Sequence, residues 1–295
     1  MNIYGLVKKL KSFFGYSYPK YFNTIEEINF SPVFLIGGNR TGTSLTSSLF
    51  AQHPQLEGIF GSSEKSNSVS MVDKHSDAYC ASHHVWNHLN KLSGDWARKD
   101  EGVLWGHPKH ISKYYQDMPK NEEESLLLAN AIQFYRKTDK IPFINSHFNM
   151  FRIGLITKIF SDAKFIMTIR DYKGYIKSCS DKWSRQDISI EFPKIGLHWM
   201  TFNTCCLYDL KKYASGNFCV VDYASLYKDE SSVNKMLNEK LQEINMDPFD
   251  FNLDSINTDY RYHGKQHIYD LRYEEFFEHI EKLLSFERTL TDDSD

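Results

Sequence analysis

Four short, almost uninterrupted apolar runs constrain this chain more than any other feature: Val33–Ile36, Pro142–Asn145, Lys164–Ile169 and Asn217–Val221. Each is too short for a core helix. Near-continuous hydrophobicity is what strands covered on both faces require, and such strands belong to a parallel sheet. Helical patterns fill the intervals. One follows Thr43, one spans Glu122 to Lys137 behind a capping Asn121, and one spans Ser232 to Asn245 with Val233, Met236, Leu237, Leu241 and Ile244 on one face. Two more run from Ile195 to Tyr213 and through Tyr273, Phe276, Phe277, Ile280 and Leu284. Strands alternating with helices predict an α/β fold, a central parallel sheet flanked by helices. At 295 residues and 41% hydrophobic, the chain has the length and composition for one large domain with a substantial core.

The first run ends in a distinctive loop. Ile36 is followed by Gly37-Gly-Asn-Arg-Thr-Gly42, and a helix starts near Thr43. A strand running through glycines into a helix points backbone N–H groups and a helix N-terminus at one spot, which makes an anion site. The spacing from Gly37 to Gly42 is that of a nucleoside-triphosphate loop, so the fold is expected to be P-loop-like with three layers. The lysine that would meet the β- and γ-phosphates is replaced by Thr43, and the nearest cation is Arg40 inside the loop. A kinase that uses ATP or GTP is therefore disfavoured.

Arg40-Thr41-Gly42-Thr43-Ser44 resembles the phosphosulfate loop of the sulfotransferases that use 3′-phosphoadenosine 5′-phosphosulfate. Two further segments carry the resemblance in the right order. The run Lys164–Ile169 leads into Arg170, with Ser178 eight residues later. In the family, an arginine and a serine so placed grip the 3′-phosphate, and a planar guanidinium with an adaptable hydroxyl suits that task. An ion pair of Arg170 with Asp171 is the alternative, awkward between chain neighbours. Val220-Val-Asp-Tyr-Ala-Ser-Leu226 is similar to the family's strand and Tyr-Glu-Asp-Leu turn near the adenine, with Ala224 and Ser225 in place of the acids. Tyr223 reads equally as an adenine contact or a core aromatic. The resemblance spans roughly Ser31 to Leu226. Leu45 stands where the cytosolic branch has a stacking tryptophan, which brings the chain nearer the bacterial and carbohydrate branch.

What the resemblance implies is sulfuryl transfer from 3′-phosphoadenosine 5′-phosphosulfate to a hydroxyl or amine, with adenosine 3′,5′-bisphosphate as product and no metal required. Gly38, Asn39, Arg40, Thr41, Gly42, Thr43 and Ser44 would hold the 5′-phosphosulfate, with Arg40 countering leaving-group charge. Arg170, Ser178 and Tyr223 would hold the other end. Two residues compete for the acceptor's proton. His147 follows a strand end 23 residues before Arg170, like the catalytic histidine of cytosolic sulfotransferases, although Asn145 replaces that segment's lysine. The same stretch also reads like the Lys-x-Pro-x-Asn-x-x-Arg segment of the other branch, with Asn149 and Arg152 retained. Glu64, ten residues after Pro54, is similar to a glutamate those enzymes place after a His-Pro pair. His147 is preferred for its place at a strand's C-terminal end beside the loop. A noncatalytic nucleotide-binding protein on the same fold is the alternative from another functional class.

The rest of the chain sets boundaries. A net charge of −3 argues against broad nucleic-acid binding, so any anion is held locally. Five cysteines with no C-x-x-C pair read as reduced packing residues of a cytoplasmic protein. His83, His84 and His88 lack a third ligand at fixed spacing, so no metal site is expected. Residues 1–30 are read as an amphipathic helix and lead-in, and 31–290 as a single α/β domain with an insertion or lid at 63–120. Within 1–16, Ile3, Leu6, Val7, Leu10, Phe13 and Phe14 form a stripe flanked by Lys8, Lys9 and Lys11. It docks on the body or makes peripheral membrane contact; docking is preferred because one short basic helix holds a membrane only marginally. The lysines rule out a secretory signal, and no run is long enough to span a bilayer. The acceptor, a small molecule or carbohydrate, and the oligomeric state are not encoded in any motif.

Overall fold

The computed structural model describes residues 20–59, 115–119, 122–184 and 192–253, and all structural statements concern these. In chain order they form β1 (Val33–Ile36), α1 (Thr43–Phe50), β2 (Leu56–Gly58), α2 (Glu122–Tyr135), β3 (Ile141–Asn145), α3 (Ile153–Ile159), β4 (Lys164–Ile169), α4 (Tyr172–Ser184), α5 (Phe192–Tyr213), β5 (Phe218–Asp222) and α6 (Glu230–Glu243). Short 3₁₀ turns follow β3 (His147–Phe151) and β5 (Tyr223–Tyr227).

The sheet is parallel throughout and ordered β2-β3-β1-β4-β5. The four apolar runs supply its four inner and right-hand strands as expected. The fifth, β2, has only Leu56 buried and lies at the edge, where three residues carry too little hydrophobic pattern to be read. α6 begins two residues before the sequence pattern, because the Asp229 carboxylate caps it by accepting from the Ser232 N–H at 3.0 Å. The helix expected over 273–284, the N-terminal helix and most of the 63–120 insertion lie outside the described residues.

Side chains alternate across β1. Phe34 and Ile36 point into a core with α2, α3, α4 and α5, while Val33 and Leu35 point into a second core with α1 and α6. All four are fully buried, each contributing about 1.5–3 kcal/mol by leaving water. The three-layer arrangement follows directly. Residues 115–119 are fastened to α5 by reciprocal bonds: the Tyr115 hydroxyl donates to Asp209 at 3.1 Å, and the Tyr213 hydroxyl donates to Asp117 at 3.2 Å.

β1 pairs with β3 on one side and β4 on the other, so successive connections leave it in opposite directions. Such a switch point opens a crevice beyond the strands' C-terminal ends, where ligands bind in open α/β sheets. The glycine loop, Ser146, Arg170 and Tyr223 all follow those ends. Among the described residues no helix is long and apolar enough to cross a membrane. Cys179, Cys205, Cys206 and Cys219 form no disulfide among the described residues; burial pushes the Cys206 and Cys219 thiols far up, which disfavours the thiolate.

Candidate functional site

The loop after β1 is built by close approach. Gly37 has φ +154° and Gly42 has φ +95°, and a Cβ at Gly42 would lie 2.2 Å from Cδ2 of Tyr223. A Cβ at Gly38 would meet the Phe202 ring at 2.3 Å. Only glycine lets the loop pass between α5 and the turn after β5. The fully buried Thr41 locks it from within: its hydroxyl donates to the Gly38 carbonyl at 2.8 Å and pairs with the Thr168 hydroxyl at 2.9 Å, and its N–H reaches Gly38 O at 3.3 Å. Thr41 thus shapes the loop, and its polar groups are spent there. Thr43 and Ser44 start α1, whose first turn leaves backbone N–H groups without intrahelical acceptors.

Arg40 takes the left-handed conformation at φ 72°. Its Nε donates to the Ser178 hydroxyl at 2.9 Å, and its carbonyl accepts from Nη1 of Arg170 at 3.1 Å. Arg170 is nine-tenths buried, and its Nε has no hydrogen-bond partner among the described residues. Its guanidinium lies over the Tyr223 ring, 4.4 Å from the centroid. Its carbonyl accepts from Nε1 of the buried Trp199 at 2.8 Å. The alternative partner is otherwise engaged: Asp171 accepts the Gly174 N–H at 2.6 Å and makes no ion pair with Arg170 among the described residues. Arg40, Arg170, Ser178 and Tyr223 therefore meet in one cluster at the ends of β1, β4 and β5.

Tyr223 is half-buried at the edge of this cluster, its hydroxyl paired with that of Tyr227. Its ring also packs against the second core, so contact with the core and a face towards the cluster go together. Asp222 holds the turn by accepting from Ala224 N–H at 3.1 Å, and the Ser225 hydroxyl donates to the Asp222 carbonyl at 2.6 Å. A short polar turn is thus retained without the two acids of the resembling motif.

His147 opens the 3₁₀ turn directly after β3, so its backbone is at the same end of the sheet as the loop. Its side chain, and the whole of Glu64, lie outside the described residues. Asn149 and Arg152 on the same turn are buried, 0% and 1% exposed. His53 is structural: Nδ1 accepts from the Gln55 N–H at 3.3 Å, which places the ring proton on Nε2 against the Asp247 carbonyl at 2.9 Å. Among the described residues no group of His, Cys, Asp and Glu is arranged to hold a metal ion. Three supports were invisible to sequence reading: Thr168, Trp199 and Phe202 are ordinary core residues by pattern, and only their register against the loop and Arg170 gives them a part in the site.

Two guanidinium groups, a serine hydroxyl and the amides of a helix start, with no carboxylate paired to either arginine among the described residues, supply the charge and the donors that suit an anion. A family model described as "Sulfotransferase family" matches residues 32–243. A solved sulfotransferase from Mycobacterium avium superposes with a TM-score of 0.51 at 13% identity, over 90% of this chain and 74% of that one. A sulfotransferase from Alicyclobacillus acidocaldarius gives 0.49 at 13% identity, over 86% of this chain and 93% of that one. No curated protein matches the chain.

Proposed function

The chain belongs to the sulfotransferase family, and on that premise we propose that it moves a sulfuryl group from 3′-phosphoadenosine 5′-phosphosulfate to a hydroxyl or amine by in-line displacement. The observation that carries this reading is the convergence of Arg40, Arg170, Ser178 and Tyr223 beside the amides that start α1. The unpartnered Nε of buried Arg170 fits a phosphate, since a buried donor without an acceptor costs about 1–3 kcal/mol. The Tyr223 ring, placed against Gly42, offers an aromatic surface for a base.

On this reading Arg170 and Ser178 hold the 3′-phosphate, and the N–H groups of Gly42, Thr43 and Ser44 hold the 5′-phosphosulfate. When bound, the donor supplies the activated sulfuryl group. Arg40, with a fixed positive charge at the loop, stabilises negative charge as it builds on the leaving phosphate. His147 takes the acceptor's proton from its place after β3, and Glu64 is the competing base. The acceptor is a small molecule or carbohydrate.

Donor consumption screened across sugars, phenols, lipids and peptides tests the activity, with His147→Ala and Glu64→Gln run on whichever acceptor turns over. The true base is expected to lose about a hundredfold or more in kcat. Near-native rates in both variants would remove both assignments. Saturable nucleotide binding with no turnover of any acceptor would favour the noncatalytic binder.

A further inference from the structure

We infer that residues 115–119 are a proton-dependent latch. With Asp209 of α5 protonated they stay docked on α5 and hold the end of the turn that opens at His147; as Asp209 ionises they open locally while the sheet stays folded. The inference uses neither the donor site nor the acceptor, so it can fail or succeed apart from the proposed function.

The latch is built from named contacts. The Tyr115 hydroxyl donates to Oδ1 of Asp209 at 3.1 Å, and the Tyr213 hydroxyl donates to Oδ2 of Asp117 at 3.2 Å. Between them, the Gln116 N–H donates at 2.9 Å to the carbonyl of Phe151, the last residue of the 3₁₀ turn after β3. The backbone of Asp117 lies so close to α3 that a Cβ at Gly154 would come within 2.8 Å of the Asp117 carbonyl oxygen. Yet Tyr115 and Met118 are 38% and 52% exposed. A segment held by polar contacts, with its large apolar side chains facing water, opens more readily than a core strand.

Burial of one carboxyl then makes the opening depend on pH. Asp209 is 1% exposed and forms no ion pair among the described residues. The groups around its carboxyl are Tyr115 and Asp117 on the segment, and Cys205, Cys206 and Lys212 on its own helix. The Lys212 ammonium lies over the Tyr213 ring, 4.6 Å from the centroid. A carboxyl withdrawn from water beside a second carboxylate favours its neutral form, and burial raises Asp209 accordingly. Opening takes Tyr115 off that carboxyl and returns it to water. The docked state thus binds the proton more tightly than the open one, so docking is favoured at acid pH and weakens as pH rises through the docked carboxyl's titration. Each opening also takes the Gln116 N–H away from the Phe151 carbonyl, and this links the turn to the proton.

The test is amide hydrogen exchange followed by mass spectrometry on the full chain, from about pH 4.5 to about pH 7, in wild type, Asp209→Asn and Tyr115→Phe, with rates corrected for the intrinsic pH dependence of exchange. Melting curves establish that each is folded. Peptides spanning 115–119 report the Gln116 N–H, and peptides spanning β1 report global unfolding. In wild type, protection at Gln116 is expected to be lower than in β1 and to fall at least about tenfold across that range. Asp209→Asn is expected to keep it constant within about twofold. Tyr115→Phe keeps the titrating carboxyl but removes the donor that favours its charged form, so it is expected to steepen the fall. A flat wild-type profile, an equal fall in Asp209→Asn, a fall unaltered by Tyr115→Phe, or exchange at Gln116 only in step with β1 overturns the inference.

Discussion

Arg40 donates from Nε to the Ser178 hydroxyl at 2.9 Å, joining the loop after β1 to the second turn of the helix after β4. The sheet brings these segments together: Ile36 at the end of β1 is in register with Met167 of β4, so the two strands release their loops side by side. The contact is a consequence of parallel topology, in which neighbouring strands send their C-terminal ends to the same edge.

The loop's passage under Tyr223 depends on the absence of a side chain at residue 42. Gly42→Ala would impose a left-handed φ on alanine and drive its Cβ to 2.2 Å from the Tyr223 ring. A loss of about 1–3 kcal/mol in stability is expected, together with at least tenfold weaker nucleotide binding. Urea unfolding and titration measure the two effects; a variant as stable as wild type would mean that Tyr223 moves aside freely.

Trp199 fixes Arg170 from behind through its indole N–H on the arginine's carbonyl. Trp199→Phe keeps an aromatic in the core but leaves that carbonyl without the bond. The expected cost is about 1–3 kcal/mol, a fall of about 2–10 °C in melting temperature. An unchanged melting temperature would show that the bond contributes nothing to holding the strand end.

Asp209 gives the fold a pH signature. Burial raises its carboxyl to about 6, opposed by the hydrogen bond from Tyr115 and the charge of Lys212 and reinforced by Asp117. The folded state therefore binds this proton more tightly than the unfolded chain. The contribution favours folding at acid pH and is lost as pH rises from about 4 to 6. Asp209→Asn retains an acceptor for Tyr115 and removes the titration. Its melting temperature relative to wild type is expected to rise across that window and then level off. A difference independent of pH would contradict the assignment.

The fold was legible where burial on both faces leaves its mark. The runs at Val33, Pro142, Lys164 and Asn217 are strands because both sides of each are covered, and β2 escaped reading because an edge strand of three residues needs only Leu56 inside. At the candidate site, glycine spacing and the Arg170–Ser178 interval marked segments that the sheet brings into contact through Arg40. That Thr41 braces the loop is not legible in the sequence, because its hydroxyl's partners, Gly38 and Thr168, become neighbours only after the sheet forms. Trp199 and Phe202 have the same explanation: on a helix, residues facing the core and residues facing a strand end share one apolar stripe.

Arg170 is buried at the end of β4 with its Nε unpartnered among the described residues, and the proposed function makes it the seat of a nucleotide's 3′-phosphate. Calorimetric titration of adenosine 3′,5′-bisphosphate into wild type and Arg170→Ala, in magnesium-free buffer, measures this most directly. Saturable one-site binding that weakens about a hundredfold in Arg170→Ala is the expected result. Equal affinity in the two proteins, or no binding by wild type, would contradict it.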